Sequence, residues 1–114
     1  MAQGISLLVF PVKDIGRAKT LYAKLLDTEP YTDAAYYVGF RAGGQEIGLH
    51  PGGHREGLTG PVAYWPVDDI EKHLKALLQA GAEIQQDIKD VGGGRRIAIV
   101  RDPDGNSIGL MQSP

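Results

Sequence analysis

The sequence has no cysteine and no run of five like charges among its 114 residues. The missing cysteines exclude disulfides, thiolate metal sites and thiol nucleophiles together. A net charge of −2 offers no electrostatic footprint for nucleic acid or for an anionic membrane surface, so neither is an expected partner. No apolar stretch reaches the roughly 18 residues of a transmembrane helix, and Met1–Gly4 lacks the basic and apolar parts of a signal peptide. We therefore expect a cytoplasmic protein.

What the sequence does contain fits a small globular protein with unusually many glycines. With 42% hydrophobic residues, the chain is expected to form one domain, residues 1–114, that buries roughly two thirds of its unfolded surface. Glycine accounts for 16 residues, about twice the typical ~7%. Turns can explain only part of that excess.

Two segments of the chain occur twice. Leu7–Ile15 (LLVFPVKDI) lines up with Val62–Ile70 (VAYWPVDDI), and Gln45–Leu49 (QEIGL) lines up with Asn106–Leu110 (NSIGL). The repeat divides the chain into module one (1–53) and module two (62–114), joined by a glycine-rich junction at 51–61.

Each module begins with an apolar run and then changes to helical spacing. Asp14 is placed as the N-cap of the first helix; Asp68 and Glu71 are spaced like a capping box for the second, and Gly81 is placed to end it. The remaining segments predict strands. The predicted strands are 5–12, 31–33, 36–41, 45–50, 62–67, 83–88, 96–101 and 107–112. The sequence thus predicts an α+β fold of two βαβββ modules, forming a cupped, largely antiparallel sheet with helices on its outer face.

Several strings are similar to the vicinal oxygen chelate superfamily, which includes glyoxalase I, bleomycin-type resistance proteins and extradiol dioxygenases. Arg101–Ile108 (RDPDGNSI) resembles the family's hairpin before its last strand, and Pro11–Ile15 and Val67–Ile70 resemble its strand-to-helix turns. Leu21-Tyr22 resembles its "FY" pair. Asp27 departs from the glycine with which the family usually ends the first helix.

The resemblance implies four positions at which metal-using members carry ligands. They fall on Leu7 and Val62 in the first strands and on Gly48 and Gly109 in the last strands. None of these side chains can ligate a metal, so we expect no metal and no other cofactor. The two glycines admit two interpretations, a close approach of other groups to the backbone or a widened pocket. In either case they indicate the loss of a metal site.

Strand alternation predicts which residues line the cup. His50 lies two residues beyond Gly48 and is the best remaining metal ligand or polar anchor; His54 and His73 are expected at the surface. Arg95, Arg96 and Arg101 form either a solvated strand end or an anchor for an acidic group. The predicted ligand-binding residues are Leu7, Val9, Gly48, His50, Val62, Tyr64, Gly109, Met111, and Tyr36 or Tyr37.

These features favour a metal-independent protein that binds and sequesters a small antibiotic-like, aromatic or amphipathic compound in an aromatic-lined groove. The resemblance implies a homodimer. The alternative is a glyoxalase-type lyase or isomerase, with a metal relocated to His50 or with acid and base groups such as Tyr64. A third possibility is a structural or regulatory homodimer with a vestigial cleft.

Overall fold

The computed structural model describes residues 4–114 and divides them into two compact units. The N-terminal unit is Leu7–Val62, and the C-terminal unit is Ala63–Pro114 together with residues 4–6. Within the C-terminal unit, the Ser6 amide donates to the Tyr64 carbonyl oxygen at 3.1 Å. The elements are β1 (Leu7–Pro11), α1 (Ile15–Leu26), β2 (Thr32–Ala34), β3 (Tyr37–Ala42), β4 (Gln45–His50), a 3₁₀ helix (His54–Glu56), β5 (Val62–Pro66), α2 (Ile70–Gln79), β6 (Glu83–Asp90), β7 (Arg96–Arg101) and β8 (Ser107–Gln112). The prediction of an α+β fold built from two βαβββ modules is confirmed.

In the N-terminal unit the strands lie in the order β2-β3-β4-β1. The β2–β3 and β3–β4 pairs are antiparallel, whereas β1 and β4 run parallel because α1 and two strands separate them in sequence. Gly43 and Gly44 both have positive φ at the β3–β4 turn. A two-residue turn of this kind fixes the register of the hairpin, which places Gly39 opposite Gly48.

Helix α1 covers one face of this sheet. Alternate strand residues meet the helix, and its apolar stripe packs against them. Phe10 and Tyr22 lie with ring centroids 5.4 Å apart and the rings tilted. The buried part of this core comprises Val38, Phe40, Ile47 and Leu49.

The C-terminal unit repeats the arrangement with strand order β5-β8-β7-β6. Again the outer pairs are antiparallel and β5 runs parallel to β8. Helix α2 covers one face through a core of Val67, Ile70, Leu74, Ala98, Val100 and Leu110. Neither helix in the described part of the chain is long and apolar enough to cross a membrane.

The helix ends agree with the predictions except at one cap. Asp14 caps α1 by accepting the Arg17 amide at 3.0 Å, as predicted. The cap of α2 is Asp69 rather than Asp68: its carboxylate accepts the Lys72 amide at 3.1 Å. The prediction for Asp68 was wrong because two adjacent aspartates both fit the spacing and the helix begins at Ile70, directly after Asp69, whose extended backbone directs its oxygen to the first turn.

Strand bounds differ mainly where the pattern is weak. The strands predicted at 45–50, 96–101 and 107–112 are confirmed residue for residue. β3 begins at Tyr37, which leaves Tyr36 in the preceding turn. β6 extends to Asp90 through two irregularities in its pairing with β7. The junction holds a 3₁₀ helix that the glycine-rich sequence did not indicate.

Candidate functional site

The two glycines at the expected metal positions each lie under a tyrosine ring. Gly48 is in β4, on the face of the N-terminal sheet opposite α1. A Cβ atom built on Gly48 would lie 2.7 Å from Cζ of Tyr37 and 2.9 Å from its Cε1. No methyl group fits at that distance, so the ring occupies the volume in which a side chain at position 48 would begin.

The adjacent glycine on β3 is covered in the same way. A Cβ atom on Gly39 would lie 3.0 Å from Cζ of Tyr31 and 3.2 Å from its Cε1. Gly39 and Gly48 are direct partners across the β3–β4 pair, so the two rings lie over neighbouring backbone positions about 5 Å apart. Tyr31 keeps 45% of its surface exposed. We call Tyr31 and Tyr37 over Gly39 and Gly48 the tyrosine pair.

The C-terminal unit has a single equivalent. Tyr64 in β5 is the direct partner of Gly109 in β8, and a Cβ atom on Gly109 would lie 2.5 Å from Tyr64 Cδ1. Tyr64 is only 5% exposed, and Met111 on the same face is 4% exposed. Of the two interpretations of the glycines, close approach to the backbone is the one that describes the geometry.

The four implied metal positions do not suit a metal ion. Leu7 and Val62 are buried aliphatic side chains, and the volumes beside Gly48 and Gly109 are filled by the phenol end of Tyr37, its hydroxyl oxygen included, and by the ring carbons of Tyr64. Across residues 4–114, no three side chains of His, Cys, Asp or Glu come together in a group that could hold a metal. The side chains at these four positions therefore do not fit a metal ion.

His50 lies on the face of the N-terminal sheet that carries the tyrosine pair, which we call the tyrosine face, and a carboxylate contacts it. Its Nε2 atom lies 3.0 Å from Oε2 of Glu56, which projects from the 3₁₀ helix of the junction. The two side chains are 27% and 37% exposed. His54 begins the same short helix, and His73 lies in α2 with Nδ1 at 2.9 Å from the Asp69 carbonyl oxygen. The three histidines are thus dispersed.

Arg96 is held by an acidic group of its own unit. Its two terminal nitrogens donate to the two carboxylate oxygens of Glu71 at 2.6 and 2.7 Å. The hydrogen bonds from Arg96 lower the pKa of Glu71 to about 2, and the same bonds raise the pKa of Arg96. Gln112 joins the group by accepting the Ile70 amide at 2.7 Å. Arg96 therefore fastens α2 to β7 rather than facing a ligand.

The structure separates the remaining predicted residues. Val9 is the parallel-strand partner of Gly48, and Leu7 is the partner of Glu46, so both lie on the tyrosine face and both are buried. Tyr37 joins them there. Tyr36 stands apart in its turn with 76% of its surface exposed.

The predicted ligand-binding residues did not include Tyr31 or Glu56. Tyr31 lies in the link before β2, and Glu56 ends the 3₁₀ helix of the junction. The signal for Tyr31 was the two-residue turn at Gly43-Gly44, whose register brings Gly39 beside Gly48 and leaves room for two rings.

Two surface depressions lie away from the tyrosine pair. The larger, of about 460 Å³, is formed on α1, and the smaller, of about 280 Å³, lies at the start of α2. Both depressions are open to solvent. Residues of one helix form the first, and residues of the other helix and its N-terminal end form the second, so neither encloses a ligand. Their lining residues are Gly16, Arg17, Thr20, Leu21 and Lys24 in the first, and Asp68, Asp69, Lys72, His73 and Ala76 in the second.

Comparison with known proteins gives a consistent family. The family model described as Glyoxalase/Bleomycin resistance protein/Dioxygenase superfamily matches residues 4–110. A superfamily member from Vibrio splendidus 12B01 is 17% identical with a TM-score of 0.74, and each chain is covered by 100%. Methylmalonyl-CoA epimerase from Mycobacterium tuberculosis is 15% identical with a TM-score of 0.71, covering 99% of this chain and 89% of the epimerase.

A third similar structure is that of an NAD-dependent benzaldehyde dehydrogenase from Legionella pneumophila, which is 20% identical with a TM-score of 0.77. The match covers 95% of this chain and 98% of that chain. At these identities the likeness shows a shared fold and no shared activity. A search of curated proteins finds no significant match.

Proposed function

Since the chain belongs to the Glyoxalase/Bleomycin resistance protein/Dioxygenase superfamily, we propose that it binds and sequesters a small aromatic or amphipathic molecule without a metal ion. In this proposal the chain acts in the cytoplasm as a homodimer. Its binding surface is the tyrosine face of the N-terminal unit.

One observation carries this proposal: aromatic rings stand where the family's metal-using members place ligands. Gly48 offers no donor atom, and Tyr37 occupies the space that a ligating side chain would need. An aromatic surface binds by burying apolar area and by stacking, at about 0.5–1.5 kcal/mol for each favourable ring pair beyond the area term. The replacement therefore changes the chemistry from coordination of oxygen atoms to recognition of a planar, apolar group.

The N-terminal unit supplies the accessible part of this surface. Tyr31 is 45% exposed and Tyr37 is partly exposed, whereas Tyr64 and Met111 in the C-terminal unit are almost fully buried. Val9 and Leu7 form the apolar floor beside the tyrosine pair. Because the backbone beside both rings is glycine, both rings lie close against the sheet.

The two neighbouring tyrosines at 36 and 37 provide a matched test. A neutral fluorescent aromatic probe, N-phenyl-1-naphthylamine, is titrated into the purified protein and into the Tyr37→Leu and Tyr36→Leu variants. Removing the Tyr37 ring is expected to weaken binding by about tenfold, since roughly 1.4 kcal/mol of stacking and burial is lost. Tyr36→Leu serves as the control, because Tyr36 lies in a turn with 76% exposure. Equal affinities in all three proteins would refute the proposed surface.

A second candidate, an acid–base isomerase, is favoured by the His50–Glu56 pair. A carboxylate 3.0 Å from Nε2 can orient an imidazole for proton transfer. No third His, Cys, Asp or Glu among the described residues joins the pair to complete a metal-binding group, so this candidate is proposed in its metal-free form. Incubation with methylmalonyl-CoA in deuterated water tests it: the candidate predicts deuterium incorporation that His50→Gln abolishes, and an unlabelled product counts against it.

A further inference from the structure

One arginine on the tyrosine face, Arg41, is bonded to a carboxylate through only part of its guanidinium group. Arg41 in β3 is the direct partner of Glu46 in β4, and its Nε donates to Oε1 of Glu46 at 3.3 Å. The Tyr31 hydroxyl donates to the same carboxylate oxygen at 3.0 Å. The guanidinium carbon lies 4.0 Å from the centre of the Tyr31 ring, within the range of a cation–π interaction.

The exposure of the two charged partners is unequal. The Arg41 side chain is 66% exposed, and the Glu46 side chain is 22% exposed. The carboxylate is thus largely covered by Tyr31 and Arg41, while the guanidinium faces solvent. Only Nε of Arg41 is engaged, which leaves its two terminal nitrogens without a protein partner among the described residues. This end of the tyrosine face therefore presents an accessible positive group of fixed orientation.

The position of Arg41 relates it to the tyrosine pair. Arg41 and Gly39 are two residues apart on one strand, so their Cα atoms are about 7 Å apart and the Arg41 side chain lies on the face of the sheet where Tyr31 covers Gly39. Tyr31 covers Gly39 and also contacts Arg41. A planar group stacked on the pair would thus place an acidic substituent within reach of the guanidinium.

We infer that Arg41 selects ligands that carry an oxyanion, a carboxylate or a sulfonate, on a planar aromatic ring system. This inference rests on the proposed function and deepens it by naming the ligand class. The terminal nitrogens of Arg41 hold the acid through a charge-assisted, two-point contact, and Glu46 and Tyr31 position the guanidinium. Arg96 does not take this role, because Glu71 occupies its terminal nitrogens.

Two probes with the same ring system separate charge recognition from stacking. 8-Anilinonaphthalene-1-sulfonate is N-phenyl-1-naphthylamine with an added sulfonate, so the ratio of their dissociation constants measures the contribution of the negative charge. The full chain is titrated with both probes as wild type, Arg41→Gln and Glu46→Gln. Arg17→Gln is the control, since it removes the same charge from α1, on the other side of the same sheet.

Arg41→Gln is expected to raise the ratio of the anionic to the neutral dissociation constant by about tenfold, the size of one charge-assisted contact. Glu46→Gln is expected to lower it several-fold: the competing negative charge is removed while an amide oxygen still accepts from Tyr31. Arg17→Gln is expected to keep the wild-type ratio. If Arg41→Gln fails to fold, as judged by far-UV circular dichroism, Glu46→Gln carries the test alone.

The two possible failures are distinguishable. If both probes bind and the ratio is the same in wild type, Arg41→Gln and Glu46→Gln, the inference is overturned while the binding surface stands. A ratio that changes equally in Arg17→Gln also overturns it, since a general charge effect then suffices. If neither probe binds the wild-type protein, the proposed function itself fails.

Discussion

Gly109→Ala tests whether the glycines are required by the tyrosine rings above them. The added methyl group would lie 2.5 Å from Cδ1 of Tyr64 and 2.8 Å from its Cγ. Tyr64 is 5% exposed, so its ring has little room to move aside. Overpacking of this kind costs about 1–3 kcal/mol, partly offset by the smaller entropy of the unfolded alanine chain, about 0.4–1 kcal/mol. We expect a net loss of about 1–2 kcal/mol.

A double-mutant cycle identifies the ring as the cause. Tyr64→Val substitutes the residue that the repeat places at the equivalent position, Val9, and it removes the atoms that approach Gly109. In that background Gly109→Ala is expected to cost less than about 0.5 kcal/mol, which gives a coupling energy of about 1 kcal/mol or more. Gly60→Ala is the matched control because a Cβ atom there meets nothing within 4 Å.

Urea unfolding, followed by circular dichroism, is measured for the wild type, the two single variants, the double variant and the Gly60→Ala control. The shift in midpoint reports the change in the free energy of unfolding if the dependence on urea concentration stays constant. A Gly109→Ala protein as stable as Gly60→Ala would refute the close approach. So would an equal loss in the wild-type and Tyr64→Val backgrounds, since the cost would then come from the backbone and not from the ring.

Three further predictions concern stability. Asp27→Gly is expected to stabilise the chain by about 0.5–1 kcal/mol, because Asp27 ends α1 with φ of 52°, a conformation that glycine adopts more easily. Asp27→Ala should lower the urea midpoint, and a higher midpoint for Asp27→Ala would contradict this explanation. Gly16→Ala should raise the free energy of unfolding by about 0.5–1 kcal/mol, since the nearest atom to the new Cβ is 3.6 Å away; a lower free energy of unfolding would show unexpected crowding in α1. The pKa of Glu71 is lowered from 4.5 to about 2 by Arg96, so its ionised form stabilises the fold above pH 4.5, and this contribution declines as the pH falls towards 2. Urea midpoints measured across that range should therefore approach each other for wild type and Glu71→Gln, and a constant difference would count against the ion pair.

The strands and helices that the sequence predicted best are those with a single strong signal. Gln45–His50 is bounded by the Gly43-Gly44 turn and alternates cleanly, so its limits followed from the pattern. β6 shows the opposite case. Its polar residues at 85–87 and its pairing irregularities produce no period of two, so its extension to Asp90 could not be read from the pattern.

The candidate site was only partly predictable because it depends on ring positions rather than on strand positions. Alternation correctly placed Gly48 and His50 on one face, but it carries no information about which tyrosine turns over a glycine. Tyr31 reaches Gly39 from outside the sheet strands, and Glu56 reaches His50 from the junction. Such contacts arise from chain reversals that bring distant residues together, and local sequence patterns do not encode them.

The metal content and ligand affinity of one preparation test the central claim most directly. The purified protein is analysed for Ni, Zn, Mn and Fe and titrated with N-phenyl-1-naphthylamine, before and after dialysis against a chelator. We predict less than roughly one tenth of a metal ion per chain, since the chain lacks a donor set for one. We also predict the same dissociation constant for the probe before and after dialysis. Stoichiometric metal, or probe binding that the chelator abolishes and added metal restores, would contradict the account.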